Sequence, residues 1–144
     1  MDIAVAKILE TKGSEVEVTT PETTVVAAVE QMNRRNIGAL VVVDGERSIG
    51  IFTERDVLTR VVGKGRDPGR TPVGEVMTRQ VVSIEPDMLV RDAMCVITEK
   101  RCRHLPVMSD GRLLGMISSG DLTRWTVRDQ QRTIEELVDY VQRS

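Results

Sequence analysis

One stretch of this chain occurs twice. Gly50-Ile51-Phe52-Thr53-Glu54-Arg55-Asp56 returns as Gly115-Met116-Ile117-Ser118-Ser119-Gly120-Asp121, an offset of 121 − 56 = 65 residues. At the same offset, without a gap, Pro21 falls on Pro86, Val25 on Val90, Ala28 on Ala93, Leu40 on Leu105, Val42 on Val107 and Arg47 on Arg112. Solenoid and array units repeat every 20 to 50 residues or so, and only two copies are present here, so the chain encodes a tandem of two small folds rather than an array. Such a tandem implies a pseudo-symmetric globule with a cleft at its axis. With 144 residues in all, each half is too small to be comfortably stable alone, and a shared core or dimerisation is expected.

Apolar spacing gives each half the same order of elements. In the first, Val25, Ala28, Val29 and Met32 recur at helical spacing over Thr24 to Asn36, with Pro21 ahead. Ile37-Gly38 ends that helix. Ala39 to Val43 is a β-branched run that reads as a buried strand, Asp44-Gly45 turns the chain, and Ser48 to Phe52 returns as a strand. Thr53 opens a second helix through Val57, Leu58, Val61 and Val62, and a short strand near Val16 to Val18 precedes the set. The second half repeats this as a helix over Met88 to Thr98, strands at Leu105 to Met108 and Leu113 to Ile117 about an Asp110-Gly111 turn, and a helix over Ser119 to Val127. The fold class is α/β, two tandem β-α-β-β-α repeats spanning 1–62 and 73–128. The segment 63–72, rich in glycine, proline and charge, reads as a linker. Over 129–144 Ile134, Leu137, Val138 and Val141 form the stripe of a closing amphipathic helix, whose default use is to pack on its own domain, with a second subunit as the rival. Upstream, Lys7-Ile8-Leu9 resembles Glu75-Val76-Met77 at an offset of 75 − 7 = 68, so the first half carries three extra residues somewhere in Glu10 to Thr20.

Composition narrows the function. A net charge of −2 and a pI near 5.5 argue against a general nucleic-acid surface. Phe52, Trp125 and Tyr140 are too few and scattered for a base-stacking platform. No long apolar run or basic-led leader is present, so no membrane association is expected and the chain reads as cytoplasmic. Cys95 and Cys102 with a single histidine indicate neither a disulfide framework nor a metal site, and Cys102 reads as a small core residue. Gly63-Lys64 lacks the following hydroxyl and the surroundings of a phosphate loop.

The chemistry concentrates at the repeated motif. Thr53 to Asp56 and Ser118 to Asp121 are both hydroxyl-x-x-carboxylate where a strand turns into a helix. One reading is helix capping, each side chain satisfying a free backbone N–H. The other is nucleotide binding: a helix start favours phosphate, and an Asp beside it accepts both hydroxyls of a ribose.

The duplicated Gly-apolar-apolar-Thr/Ser-x-x-Asp pattern, with His104-Leu105-Pro106-Val107 in the second half, closely resembles the cystathionine β-synthase (CBS) domain pair, or Bateman module, over about residues 5 to 128. The resemblance implies two α/β repeats packed through their sheets, adenosyl ligands in clefts between them, and dimerisation into a disc of four repeats. It places ribose at Asp56 and Asp121, the phosphate-side hydroxyls at Thr53 and Ser118, and a basic pair at Arg103 and His104, in the reverse of the order common in the family. The first repeat has Gly38 and Ala39 there instead, so the two clefts are not expected to be equivalent. Adenine is expected against aliphatic residues such as Ile37, Ala39 or Pro106, and Arg55 as a further phosphate contact, its counterpart being Gly120. His104 without a nucleophile motif reads as structural or ligand-binding rather than catalytic.

The function expected is a non-enzymatic sensor that binds AMP, ADP, ATP or NAD(H), without metal, and whose homodimer is read by an unidentified protein partner. A ligand-free dimerisation module is the alternative. A small nucleotide-processing enzyme is a further one, disfavoured by the lack of an activated nucleophile, a metal-spaced carboxylate pair or a dinucleotide fingerprint.

Overall fold

A computed structural model describes residues 3–143 of the chain; Met1, Asp2 and Ser144, the outermost positions of the divisions read from the sequence, lie outside the described residues. In chain order the elements are α1 (Val5–Lys12), β1 (Val18–Thr19), α2 (Val25–Arg35), β2 (Ala39–Asp44), β3 (Arg47–Thr53), α3 (Glu54–Asp56), α4 (Val73–Val76), α5 (Val90–Lys100), β4 (His104–Ser109), β5 (Arg112–Ser118) and α6 (Ser119–Arg143). The α/β class and the repeated order agree with the sequence reading.

The compact units are not the sequence repeats. The first unit is Glu15–Val81, and the second is Met1–Ser14 together with Val82–Ser144. Each repeat has lent its leading segment to the other. Val5 N–H donates to the Met88 carbonyl at 2.8 Å and Val90 N–H to that of Ile3 at 2.8 Å, while Val73 N–H donates to Thr23 at 2.8 Å and Val25 N–H to Thr71 at 2.9 Å. These bonds correspond pairwise, since 73 − 5 and 71 − 3 are both 68 while 88 − 23 and 90 − 25 are both 65. The division at 1–62, 63–72 and 73–128 follows the sequence period, and the compact units are drawn across it by this exchange. The residues 71–72 read as linker belong to the first unit, where Thr71 is buried and Pro72 bridges Thr24. The shared core expected from half size is replaced by two cores, each completed by the exchanged segment. Val73, Val76 and Met77 join Val25, Leu40 and Phe52 in one, and Val5, Ile8 and Leu9 join Ala93, Leu105 and Ile117 in the other.

Within the first unit, α2 is capped at its start by Thr24, whose Oγ1 accepts from Ala27 N–H at 3.2 Å, and ends at Asn36 in the left-handed region, φ 54°. Its buried face is Val25, Ala28 and Met32. Strands β1, β2 and β3 form a sheet in that order, β1 parallel to β2 and β3 antiparallel. The short strand expected at Val16 to Val18 is observed at Val18–Thr19. In the second unit β4 and β5 pair antiparallel, and the isolated parallel bridge Ile84 to Val107 stands where β1 meets β2, since 84 − 19 = 107 − 42 = 65. Both hairpins carry the same irregularity, between Val42 and Val43 and between Val107 and Met108.

Three elements differ from the sequence reading. The first hairpin turns at Gly45-Glu46, with Asp44 still paired to Arg47, not at Asp44-Gly45. Adding 65 gives Asp110-Gly111, the observed second turn, so the repeat register holds where the dipeptide signal slips by one. Asp110 and Gly111 have φ 51° and 76°, the left-handed pair that a two-residue hairpin needs, whereas in the first turn only Gly45 is positive. The helix after β3 is one α turn followed by a π turn, Val57–Val61, and a 3₁₀ turn, Val62–Lys64. Its changing pitch narrows the buried stripe to Val61, leaving Leu58 and Val62 exposed. Finally, the segment 129–144 is not a separate helix. No glycine or proline follows Gly120, so α6 runs unbroken for 25 residues to Arg143. Its outer stripe does not pack on its own domain: Ile134 and Leu137 are each 60% exposed.

Candidate functional site

Each repeated motif forms a reciprocal cap. In the first unit Thr53 Oγ1 accepts from Asp56 N–H at 3.3 Å, and Asp56 Oδ2 accepts from Thr53 N–H at 3.0 Å and from the Thr53 hydroxyl at 3.2 Å. In the second, Ser118 Oγ accepts from Asp121 N–H at 3.1 Å and Asp121 Oδ2 from Ser118 N–H at 2.9 Å. A capping box normally uses Glu or Gln; here the shorter Asp closes it and is drawn inward. Asp56 is 4% exposed and Asp121 9%.

The start of the preceding strand is fixed against each cap. The Gly38 carbonyl accepts from Glu54 N–H at 3.0 Å, and the Arg103 carbonyl from Ser119 N–H at 2.8 Å. Ala39 pairs with Thr53, and His104 with Ser118. The structure therefore brings Gly38, Ala39, Thr53 and Asp56 together in one unit and Arg103, His104, Ser118 and Asp121 together in the other. Arg55 is exposed on the first turn of α3, and Arg103 is exposed ahead of β4. Of the aliphatic residues expected against adenine, Ala39 and Pro106 are buried, and the Pro106 carbonyl is taken by Ile84 N–H at 3.0 Å. Ile37 and Gly38 do line an open groove of about 470 Å³ with Val29, Met32, Asn33 and Leu58. Neither Thr53 nor Asp56 lines it.

What surrounds the two carboxylates differs. Asp56 Oδ1 accepts from the Thr78 hydroxyl at 3.0 Å, with Arg60 Nε at 3.5 Å. Asp121 has two close cations, Lys12 Nζ at 2.6 Å from Oδ2 and Arg124 at 2.7 Å from Oδ1. Burial pushes the Asp121 carboxyl up, but the Lys12 hydrogen bond, the Ser118 N–H, the Lys12 charge and the Ser118 hydroxyl together outweigh it and hold the group below its ordinary 3.8. Sequence reasoning missed Lys12, Thr78, Arg60 and Arg124. The last is three residues from its partner and readable as a helical i, i+3 pair. Lys12 is 109 residues from Asp121, and its only trace is the three-residue insertion in whose range it falls.

Among the described residues no three His, Cys, Asp or Glu side chains converge as a metal group. Cys102 packs against the second core, and burial pushes its thiol up.

The protein-family model described as the CBS domain matches residues 7–63 and again 73–128, the two copies of the repeat. The chain belongs to the CBS-domain family. It is 39% identical over 128 residues to the mitochondrial CBS domain-containing protein CBSX3 of Arabidopsis thaliana, an alignment that takes in 85% of this chain and 62% of the plant protein, somewhat under two thirds of its length. Among solved structures it is similar to the CBS domain NE2398, with a TM-score of 0.85 at 38% identity, covering 88% of this chain and 99% of that one. A candidate signal-transduction protein with CBS domains from Burkholderia ambifaria gives a TM-score of 0.85 at 40% identity, covering 89% and 96%. The matched CBS segments end before the outer half of α6. That stretch is additional to the two CBS repeats. No helix among the described residues is long and apolar enough to cross a membrane.

Proposed function

We propose that this CBS pair is a non-enzymatic regulatory module that binds an adenine nucleotide, AMP, ADP, ATP or NAD(H), at the Asp56 and Asp121 motifs, with its homodimer passing the ligand state to a protein partner. One observation carries the reading. Two buried carboxylates occupy equivalent places, each beside the start of a strand that supplies Gly38 and Ala39 in one unit and Arg103 and His104 in the other. A buried Asp held by backbone donors is preorganised to accept a diol, and the family resemblance assigns the pair Arg103 and His104 to the phosphate side of the second motif. The name of the Burkholderia relative, a signalling protein, supports a regulatory output. Signalling then works by differential affinity: ligand shifts a conformational equilibrium only by as much as it prefers one state.

The completed caps favour a second reading, in which both motifs only hold helix starts and the chain is a ligand-free interaction module. A thermal-shift panel of AMP, ADP, ATP, NAD, NADH and S-adenosylmethionine separates the two. Ligand at 100 times its Kd stabilises by about 2.7 kcal/mol, roughly 5–10 °C for a chain of this size. Asp56→Asn and Asp121→Asn keep an acceptor for the cap while removing the charge. The nucleotide reading expects a shift that shrinks in each variant. No shift with any ligand, or one that both variants preserve, leaves the capping role alone.

A further inference from the structure

Lys12 meets in the second unit the equivalent carbonyl and carboxylate that Thr78 meets in the first, but on the other oxygen: Thr78 holds Oδ1 of Asp56, whereas Lys12 holds the capping Oδ2 of Asp121 and Arg124 holds its Oδ1. The Ile51 carbonyl accepts Thr78 N–H at 2.8 Å, and Asp56 Oδ1 accepts the Thr78 hydroxyl at 3.0 Å. Met116 stands 65 residues after Ile51, and its carbonyl accepts Lys12 Nζ at 2.7 Å while Asp121 Oδ2 accepts the same Nζ at 2.6 Å. One ammonium does the work of a backbone N–H and a hydroxyl. It gets there because α1 is longer than its counterpart. At the offset of 68, α4 ends at Val76, equivalent to Ile8, whereas α1 continues to Lys12.

The exchange changes the charge of the site. Among the described residues Asp56 has an ion pair with Arg60 at 3.5 Å, whereas Asp121 has closer ones with both Lys12 and Arg124, so the second carboxylate is the more heavily countered by positive charge. A neutral diol reaching Asp121 has to displace Lys12 and leaves the ammonium without its anion. A ligand that brings its own anion removes that penalty. The Lys12 side chain is 37% exposed, on a flexible four-carbon stem, so Nζ can leave the carboxylate while α1 stays in place.

We propose that Lys12 is a specificity-determining residue: its ammonium passes from Asp121 to a phosphate oxygen when ribose takes the carboxylate, so this site selects nucleotides over unphosphorylated or cationic adenosyl compounds. The Asp56 site, where neutral Thr78 stands against the equivalent carbonyl, lacks that selection. The inference rests on the nucleotide reading above.

The test is a titration of the ¹⁵N-labelled full chain with adenosine and with AMP, following the amides of Ser118, Ser119 and Gly120 for one site and of Thr53 and Glu54 for the other. In the wild type, AMP should bind the Asp121 site at least about tenfold more tightly than adenosine, a difference of about 1.4 kcal/mol. Lys12→Gln, which keeps neutral donors toward Asp121 and Met116, should lose most of that ratio by weakening AMP, with adenosine unchanged or tighter. Lys12→Arg should keep it. Unchanged amide signals of Leu105 and Val107, in the core of the unit that holds Lys12, confirm that the variants are folded. Equal wild-type affinities for the two ligands, or a Lys12→Gln chain that retains the ratio, overturn the role of Lys12 and leave nucleotide binding standing. No response of Ser118 to Gly120 to adenosine, AMP, ATP or NAD overturns both the role of Lys12 and nucleotide binding at this site.

Discussion

Gly50 and Gly115 hold the same position in the two repeats, and alanine should be costly at one and cheap at the other. A Cβ on Gly50 would lie 2.7 Å from the Thr78 carbonyl oxygen and 3.0 Å from Met77 Sδ. That oxygen is backbone, and it accepts Ile51 N–H at 2.9 Å while Thr78 N–H donates back at 2.8 Å, so it cannot retreat without opening the bridge. Overpacking costs about 1–3 kcal/mol. Losing one of the two bonds adds about 0.5–1.5 kcal/mol, and the stiffer unfolded chain returns about 0.4–1 kcal/mol. The sum for Gly50→Ala is centred at about 2 kcal/mol, within roughly 0.5–4 kcal/mol. At Gly115 the Cβ would lie 2.7 Å from Leu9 Cδ2, the tip of a side chain. An off-rotamer adjustment of Leu9 costs about 0.5–1.5 kcal/mol, and the same unfolded-state gain leaves roughly 0–1 kcal/mol for Gly115→Ala. Urea denaturation by far-UV circular dichroism measures both. The sole tryptophan, Trp125, belongs to the second unit, so its fluorescence reports Gly115→Ala separately should the units unfold apart. Equal losses at the two glycines, or a greater loss at Gly115, would refute the distinction between a fixed carbonyl and a movable side-chain tip.

The Lys12–Asp121 pair predicts a pH dependence. The folded carboxyl lies below its ordinary 3.8, so the unfolded chain binds the proton more readily; the pair's stabilisation is fully present above that value and is lost as pH falls through the lower folded one. Lys12→Gln raises the folded value, and its acid transition, followed by Trp125 fluorescence, should begin at higher pH than the wild type's; coincident curves would count against the pairing. Because Leu137 is 60% exposed on α6, Leu137→Glu should change stability by no more than about 0.5 kcal/mol, and a loss of several times that in urea denaturation would mean that the stripe is covered in solution.

What was legible in the sequence was local. Spacing placed α2, α5 and the two hairpins within a residue or two, because the 3.6- and 2-residue periods are written along one segment. The hydroxyl-x-x-Asp caps were legible for the same reason: donor and acceptor are three residues apart. The outer part of α6 was legible as a helix, but the sequence did not say that it continues the preceding helix or that its stripe stays exposed. The Asp44-Gly45 turn misled because a dipeptide preference yields to a strand register fixed along the whole hairpin.

By itself the sequence determined that the chain folds as two like halves, each ending a strand on a capping carboxylate, since a repeat held at one offset reproduces every local contact that depends on spacing. Tertiary structure alone decided which leading segment completes which core, and thereby that Thr78 meets Asp56 while Lys12 meets Asp121. The physical reason is that burial rewards any apolar face that fits. The offsets of 65 and 68 record that two segments are alike, but not on which repeat each one docks.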